Sequence, residues 1–317
     1  MKNQIIPIVA NYKKVSLFCV FILFVYQIQA QQAPHYAQYL YNIQVINPAF
    51  VGEKSDFNAA LLSRWQWVGV EGSPKTTTFS TNGRLRNGVG LGATAIREEI
   101  GLARITEIDL DASYTTVLSN RSRLSVGLKG GLGFFNNNLD NAITVDGEIY
   151  EPNSDQYIDI GFGLLYKTKK FFVAFSAPNL IKAPVFNIDV DSRFSQQARA
   201  NNYFITAGVA YSLSRFYDIK FTPSTLIKYV PSLPLSIDAN ANFVFNEKYE
   251  FGLSYRLQNS VSAVAAIITE RNFRIGYAYE LQLMQIGGNL SSHEVILRLD
   301  LNFKRRKRWV FEDCCDF

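Results

Sequence analysis

Leu235-Ser-Ile-Asp-Ala-Asn-Ala-Asn-Phe-Val-Phe245 decides the fold class. Leu235, Ile237, Ala239, Ala241, Phe243 and Phe245 alternate with Ser236, Asp238, Asn240, Asn242 and Val244. A helix would group its apolar residues at spacings of three and four, whereas strict alternation belongs to a strand with one apolar and one polar face. The same period continues through Tyr249–Leu257, Phe273–Leu281 and Val295–Phe303. Working outward, about fourteen segments alternate in this way, near 56–65, 75–84, 88–98, 102–117, 121–134, 157–167, 171–178, 201–213, 218–229, 234–245, 248–258, 261–270, 273–281 and 292–303. Most reach the roughly 9–11 residues that a tilted strand needs to cross a bilayer. Strands of soluble sheets are commonly about 5–6 residues.

The connections alternate too. Arg86-Asn87, Ser119-Asn120, Lys169-Lys170, Arg215-Phe216, Asn246-Glu247 and Arg271-Asn272 are tight, while several of the others are long, including 135–156 and 179–200. Short turns at one end and longer loops at the other describe an all-β fold, a transmembrane antiparallel β-barrel of the outer membrane with about 14 strands. An even count places both sheet ends on the short-turn, periplasmic side. A soluble sandwich would keep polar outer faces, and a propeller would show a repeat of about 40–50 residues, which is absent.

Lys13 and Lys14 precede the apolar run Val15–Val25, which leads to Ala30-Gln31. That order is a cleaved secretory signal over residues 1–30, too short to span a bilayer as a helix. The remaining organisation is a periplasmic N-terminal segment at 31–55 acting as a plug or lip, a barrel at 56–303, and a basic periplasmic tail at 304–317. In the first segment, Asn47-Pro48 is turn chemistry, because proline fixes its own φ and pushes the residue before it toward an extended form.

With 48% hydrophobic, 14% aromatic and 19% charged residues, the chain is not disordered. The net charge of +5 resides at the two ends. The barrel itself is close to neutral, so no nucleic acid partner is expected. Beyond the signal only Cys314 and Cys315 remain, which gives no disulfide framework or metal spacing. The two histidines, His35 and His293, have no adjacent nucleophile pattern, so neither catalysis nor a cofactor is expected. The inward strand faces would carry charges such as Glu107, Asp109, Asp111, Lys129, Asp159, Lys220, Arg256, Arg274 and Arg298, paired across the lumen or lining a channel. The glycines of Gly88–Gly92 and Gly127–Gly133 alternate inside strands, which suits room inside a barrel rather than a phosphate loop.

Gln38-Tyr39-Leu40-Tyr41-Asn42 and Ile46-Asn47-Pro48-Ala49-Phe50-Val51-Gly52 resemble the N-terminal signature of the PorP/SprF family of outer-membrane proteins of type IX secretion in Bacteroidetes. Arg64-Trp65-Gln66-Trp67-Val68-Gly69, Ser73-Pro74-Lys75-Thr76 and Ser176-Ala177-Pro178-Asn179-Leu180 continue the resemblance in order, over about 36–303. Asn42-Ile43 departs from the family's first Asn-Pro, and the tail from Lys304 has no counterpart in many relatives. The resemblance implies a non-enzymatic component that assists export or surface attachment of secreted proteins such as gliding adhesins. It implies partners among periplasmic ring and peptidoglycan-binding components, the secreted client and outer-membrane lipid. Its candidate partner-binding residues are Gln38, Tyr39, Asn47, Pro48, Phe50, Gly52, Arg64, Gln66 and Trp67. The alternative from another class is a passive outer-membrane channel or small-solute transporter.

Overall fold

In a computed structural model of the protein, the alternating segments form the strands of one sheet. The structure describes residues 36–37, 39–119, 121–137, 153–181, 201–213, 218–231, 233–283 and 290–303. The expected signal peptide, His35, Gln38, the centre of the 135–156 loop and the 304–317 tail lie outside these residues.

The strands are β1 (Phe57–Trp65), β2 (Lys75–Arg84), β3 (Val89–Ile100), β4 (Ala103–Ser119), β5 (Ser122–Asn137), β6 (Asn153–Thr168) and β7 (Phe171–Ala177). Next comes β8, Tyr203–Val209 continued by Tyr211–Ser212. The last six are β9 (Ile219–Tyr229), β10 (Ser236–Phe245), β11 (Tyr249–Arg256), β12 (Ser260–Ile268), β13 (Phe273–Gln282) and β14 (Ser291–Leu301). Each pairs antiparallel with its neighbours in sequence, and β14 pairs with β1 from Leu301↔Phe57 to His293↔Trp65. The sheet is therefore a closed fourteen-stranded barrel with no free edge between first and last strand.

The boundaries match the alternation to within a few residues, with two differences. β6 begins earlier than its apolar pattern, because Asn153–Gln156 pair with Asn137–Phe134 of β5 although they are polar. β8 is interrupted at Ala210, opposite the Thr222-Pro223 step of β9. Proline has no N–H to give to the ladder, so pairing lapses there and resumes at Tyr211↔Phe221.

Side chains sort by face as the alternation requires. On β4, Leu110 is 68% exposed while Asp109 and Asp111 beside it are buried. Leu128, Leu253, Ile275 and Phe251 are likewise exposed, and Lys129, Glu250 and Arg274 buried. Exposed apolar and buried charged residues invert the pattern of a soluble protein and suit a wall whose outside is hydrocarbon. Short turns occupy one rim. Asn246 and Glu247 between β10 and β11 both have positive φ (51° and 55°), the geometry of a type I′ hairpin.

The interior is ion-paired. Arg64 meets Glu280 at 2.9 Å and also Glu294, and Arg256 meets Asp238 at 2.9 Å and Glu280 at 3.2 Å. Lys129 meets Asp109 at 2.7 Å, and Arg298 meets Asp300 at 2.9 Å. Lys220 differs from this set: it lies near the short-turn rim, half-exposed, and pairs with Glu247 at 3.0 Å.

Candidate functional site inside the barrel

Residues 36–37 and 39–56 precede the first strand and lie against the inward face of the wall. Their local form follows from Asn47-Pro48. Asn47 is extended (φ −148°, ψ 107°), as the residue before proline must be, and its Oδ1 accepts from the Ala49 N–H at 2.9 Å. The result is a short 3₁₀ turn at Pro48–Phe50, preceded by another at Tyr39–Val45 with a kink at Asn42.

Apolar side chains seat this segment. Tyr36, Tyr39, Tyr41, Val45 and Ile46 form one buried cluster with Leu62, Ile96, Phe204, Leu226 and Ile296 of the wall. Ala49 packs with Leu165, Phe172 and Ala174, and Phe50 meets Phe172 edge-on with centroids 6.0 Å apart. Burial of each large side chain contributes about 1.5–3 kcal/mol.

Polar groups then fix its register. Gln44 Nε2 donates to Asp111 Oδ2 at 2.9 Å, and Asn82 Nδ2 donates to Gln44 Oε1 at 2.7 Å. Asn47 Nδ2 donates to the Phe175 carbonyl at 3.2 Å. Ser176 Oγ donates to the Ile46 carbonyl at 2.7 Å and Ser113 Oγ to the Val51 carbonyl at 2.6 Å. Arg298 Nη1 donates to the Tyr41 carbonyl at 2.7 Å, and the Arg274 guanidinium lies 4.9 Å from the Tyr41 ring centre. Asn240 Nδ2 donates to the Tyr39 hydroxyl at 2.9 Å. The buried carbonyls of an irregular segment need such partners. Burial raises the phenols of Tyr36, Tyr39 and Tyr41 above the ordinary tyrosine range and keeps them protonated.

Glycines make the space. A Cβ at Gly127 of β5 would collide with the Pro48–Ala49 backbone, and one at Gly163 of β6 with Asn47 Oδ1. A Cβ at Gly90 would meet Val51 O, and one at Gly92 would stand 2.7 Å from Gln44 Nε2. A small cavity of about 60 Å³ remains beside Tyr41, Phe50, Glu53, Lys167 and Arg298.

Of the residues singled out from the sequence, Tyr39, Asn47, Pro48, Phe50 and Gly52 come together in this internal segment. Gly52 has φ +67° and lies against β2 and β3, where a Cβ would stand 2.9 Å from Gly83 O and Gly90 Cα. Arg64 joins them indirectly, because its partner Glu294 also accepts the Ala37 N–H at 2.7 Å. Gln66 and Trp67 stand apart in the turn after β1, where Trp67 has φ 48° and Val68 N–H donates to the Ser291 carbonyl at 2.9 Å. Sequence reasoning missed Gln44 of the segment and most of the receiving side, Asn82, Ser113, Ser176 and the inward apolar residues Leu62, Leu226 and Ile296; it placed Arg298 inward but gave it no part in holding the segment. Only some of the apolar residues left a trace in the pattern. In Val295-Ile296-Leu297 and Leu164-Leu165 the alternation fails, and the extra apolar residue faces the internal segment or its contacts.

His293 faces the lipid side with Tyr277 and Tyr279, its Nδ1 2.6 Å from the Tyr277 hydroxyl, while Glu294 faces inward. Among the described residues, no cluster of His, Cys, Asp or Glu has the geometry to hold a metal ion.

A closed, antiparallel, fourteen-stranded barrel with an apolar exterior, an ion-paired interior and its own N-terminal segment inside is an outer-membrane β-barrel protein. The chain belongs to the family described as type IX secretion system membrane protein PorP/SprF, whose profile matches residues 28–299. Among solved structures it is similar to the KdgM porin, at 9% identity and TM-score 0.38, covering 77% of this chain and 99% of that one. It is similar also to the Pseudomonas putida toluene transporter TodX, at 9% identity and TM-score 0.45, covering 84% and 93%. For the TodX deltaS2S3 mutant monoaromatic hydrocarbon channel the values are 9%, 0.48, 84% and 95%. No protein of curated function matches the sequence. Family and fold together place the protein in the outer membrane, in association with other components of type IX secretion.

Proposed function

We propose that the protein is a non-catalytic, plugged accessory barrel of type IX secretion that assists export or surface attachment of a secreted client such as a gliding adhesin. The observation that carries this is the internal segment itself. Side chains of β2, β4, β7, β10 and β14 hydrogen-bond it, so its place in the lumen is specified rather than incidental. A barrel whose interior is given over to its own chain offers partners its rims rather than a pore. The periplasmic rim and the 304–317 tail suit the ring and peptidoglycan-binding components, and the outer loops suit the client.

Replacing Tyr39 and Phe50 together by Ser tests this. Tyr39 is buried and Phe50 half-buried, and truncating large core side chains costs about 2–5 kcal/mol each, less where burial is partial. The plug should loosen, conductance in planar bilayers should rise from a low wild-type level, and export of the client should fall while the barrel still assembles. Normal export from a variant with raised conductance would overturn the assignment of a secretory role to the plug. A steadily conducting wild-type protein would favour the passive channel, which the charged lumen also suits.

A further inference from the structure

The lipid face of the wall carries almost no charge, and what charge it has is gathered in one place. Facing alternates along each strand, and the cross-strand register carries one face around the barrel. At the outward positions of the described strands, the only Asp, Glu, Lys or Arg residues are Lys75 of β2, Arg97 and Glu99 of β3 and Arg104 of β4. They are neighbours. Lys75 pairs with Glu99 and Glu99 with Arg104 in the ladder, and Arg97 is the next outward residue below Glu99. One carboxylate oxygen, Glu99 Oε1, accepts from Arg97 Nε at 3.0 Å and Nη2 at 2.7 Å, and from Arg104 Nε at 3.2 Å. Both guanidinium groups are half-exposed. Three bases against one acid leave the patch positive, and it stays so when Glu71 of the adjoining turn is counted.

The level of the patch follows from β4. Its outward residues from Leu118 up to Ile108 are apolar except Thr116. That span rises about 25 Å at about 3.3 Å per residue and about 40° of tilt, which is the height of the apolar band. Thr106 and Arg104 come next, so the patch sits where hydrocarbon gives way to headgroups on the long-loop, outer side. Trp65, opposite Lys75, is exposed there like the aromatics of an interfacial girdle. At that depth guanidinium forks match the paired oxygens of a phosphate. We infer that Lys75, Arg97 and Arg104 hold the phosphate of an outer-leaflet glycolipid against β2–β4, with Glu99 orienting the two forks. The acyl chains would lie over Phe79 and Ile108, which are exposed directly below. An acidic soluble partner fits less well, because the patch faces sideways from the wall rather than up from the rim. One sector of the barrel would thus carry a fixed lipid.

Lipid retention tests this. The wild-type protein and a Lys75→Gln, Arg97→Gln, Arg104→Gln variant are mixed in detergent with diphosphorylated lipid A, and bound lipid is counted by native mass spectrometry. Dephosphorylated lipid A and phosphatidylcholine are run beside it, and heat-modifiable migration establishes that each barrel has formed. The expected result is a single lipid A held by the wild type in preference to both other lipids, and retention weaker by about tenfold or more in the triple variant. A Lys169→Gln, Lys170→Gln variant, which removes two bases from the short-turn rim, should bind as the wild type does. Equal retention by the wild type and the triple variant overturns the inference. Equal loss from the rim variant does so too, because it shows a response to net charge alone. A site that inorganic phosphate fills as readily as lipid A also overturns it, since the ligand is then a free anion. Where the triple variant does not assemble, Arg104→Gln alone, which keeps the Arg97–Glu99 pair, carries the same expectation.

Discussion

At the scale of single residues, the glycines of β5 and β6 do what no other side chain can. Gly127 lies under Pro48–Ala49, so Gly127→Val cannot leave the plug where it is. Overpacking of this kind costs about 1–3 kcal/mol. The expected outcome is a barrel that still migrates as folded, with a lower unfolding temperature and higher conductance. Gly130→Val on the opposite face of the same strand meets open space and should change neither. The buried tyrosines make a second prediction. Their phenols titrate above the ordinary value of 10.0 because burial disfavours the phenolate. Below about pH 10 the folded and unfolded chains both hold these protons, and the stabilisation is whole. Above it the unfolded chain ionises first, and the native advantage is lost as pH climbs further. Ultraviolet titration should therefore show a fraction of phenols that ionise only as the plug loosens.

At the scale of elements, the strand ladder was legible and its break at Ala210 was not. Alternation read from Leu235–Phe245 reproduces β10 to within a residue, and the same holds for most of the wall, because one face meets lipid and the other does not. The break in β8 at Ala210 could not be read from β8, since its cause is Pro223 on the neighbouring strand. Pro223→Val should restore ladder bonds worth about 0.5–1.5 kcal/mol each. Slower amide exchange at Val209 and Tyr211, with a higher unfolding temperature, would record it; unchanged exchange would mean the break has another origin. The site was legible in part. Asn47-Pro48 announced a turn, and the aromatics around it announced burial. The receiving surface did not stand out, because a single inward residue such as Ile296 reads as noise in an alternating strand until something is known to cover it.

At the scale of the whole molecule, neighbouring residues answer to two different solvents. Leu110→Arg would place a charge near the middle of the lipid face, at a cost of about 2–4 kcal/mol. Asp111→Asn changes the adjacent inward residue and keeps an acceptor for Gln44. Refolding into lipid vesicles should fall sharply for the first and little for the second, and equal behaviour would contradict the facing of β4. The interior ion pairs are costly to break rather than a large source of stability. Arg64 has Glu280 and Glu294 on it in a site closed to solvent, where losing one partner strands the others at about 3–5 kcal/mol.

The segment inside the lumen also bears on how the molecule is made. Its contacts reach from Ala37 to Glu294 and from Tyr41 to Arg298, each pair separated by 257 positions in the chain. The first and last strands, paired as Phe57↔Leu301, are almost as remote. Such distant pairings are slow to form unaided, because loop closure must precede any reward. A strap seated within a finished cylinder cannot be packed in afterwards except by threading. The sheet must instead curl about it, meeting Gln44, Asn47 and Tyr41 in turn before the seam closes. The N-terminal segment would then serve as a mandrel, present from the first hairpin and enclosed by the last.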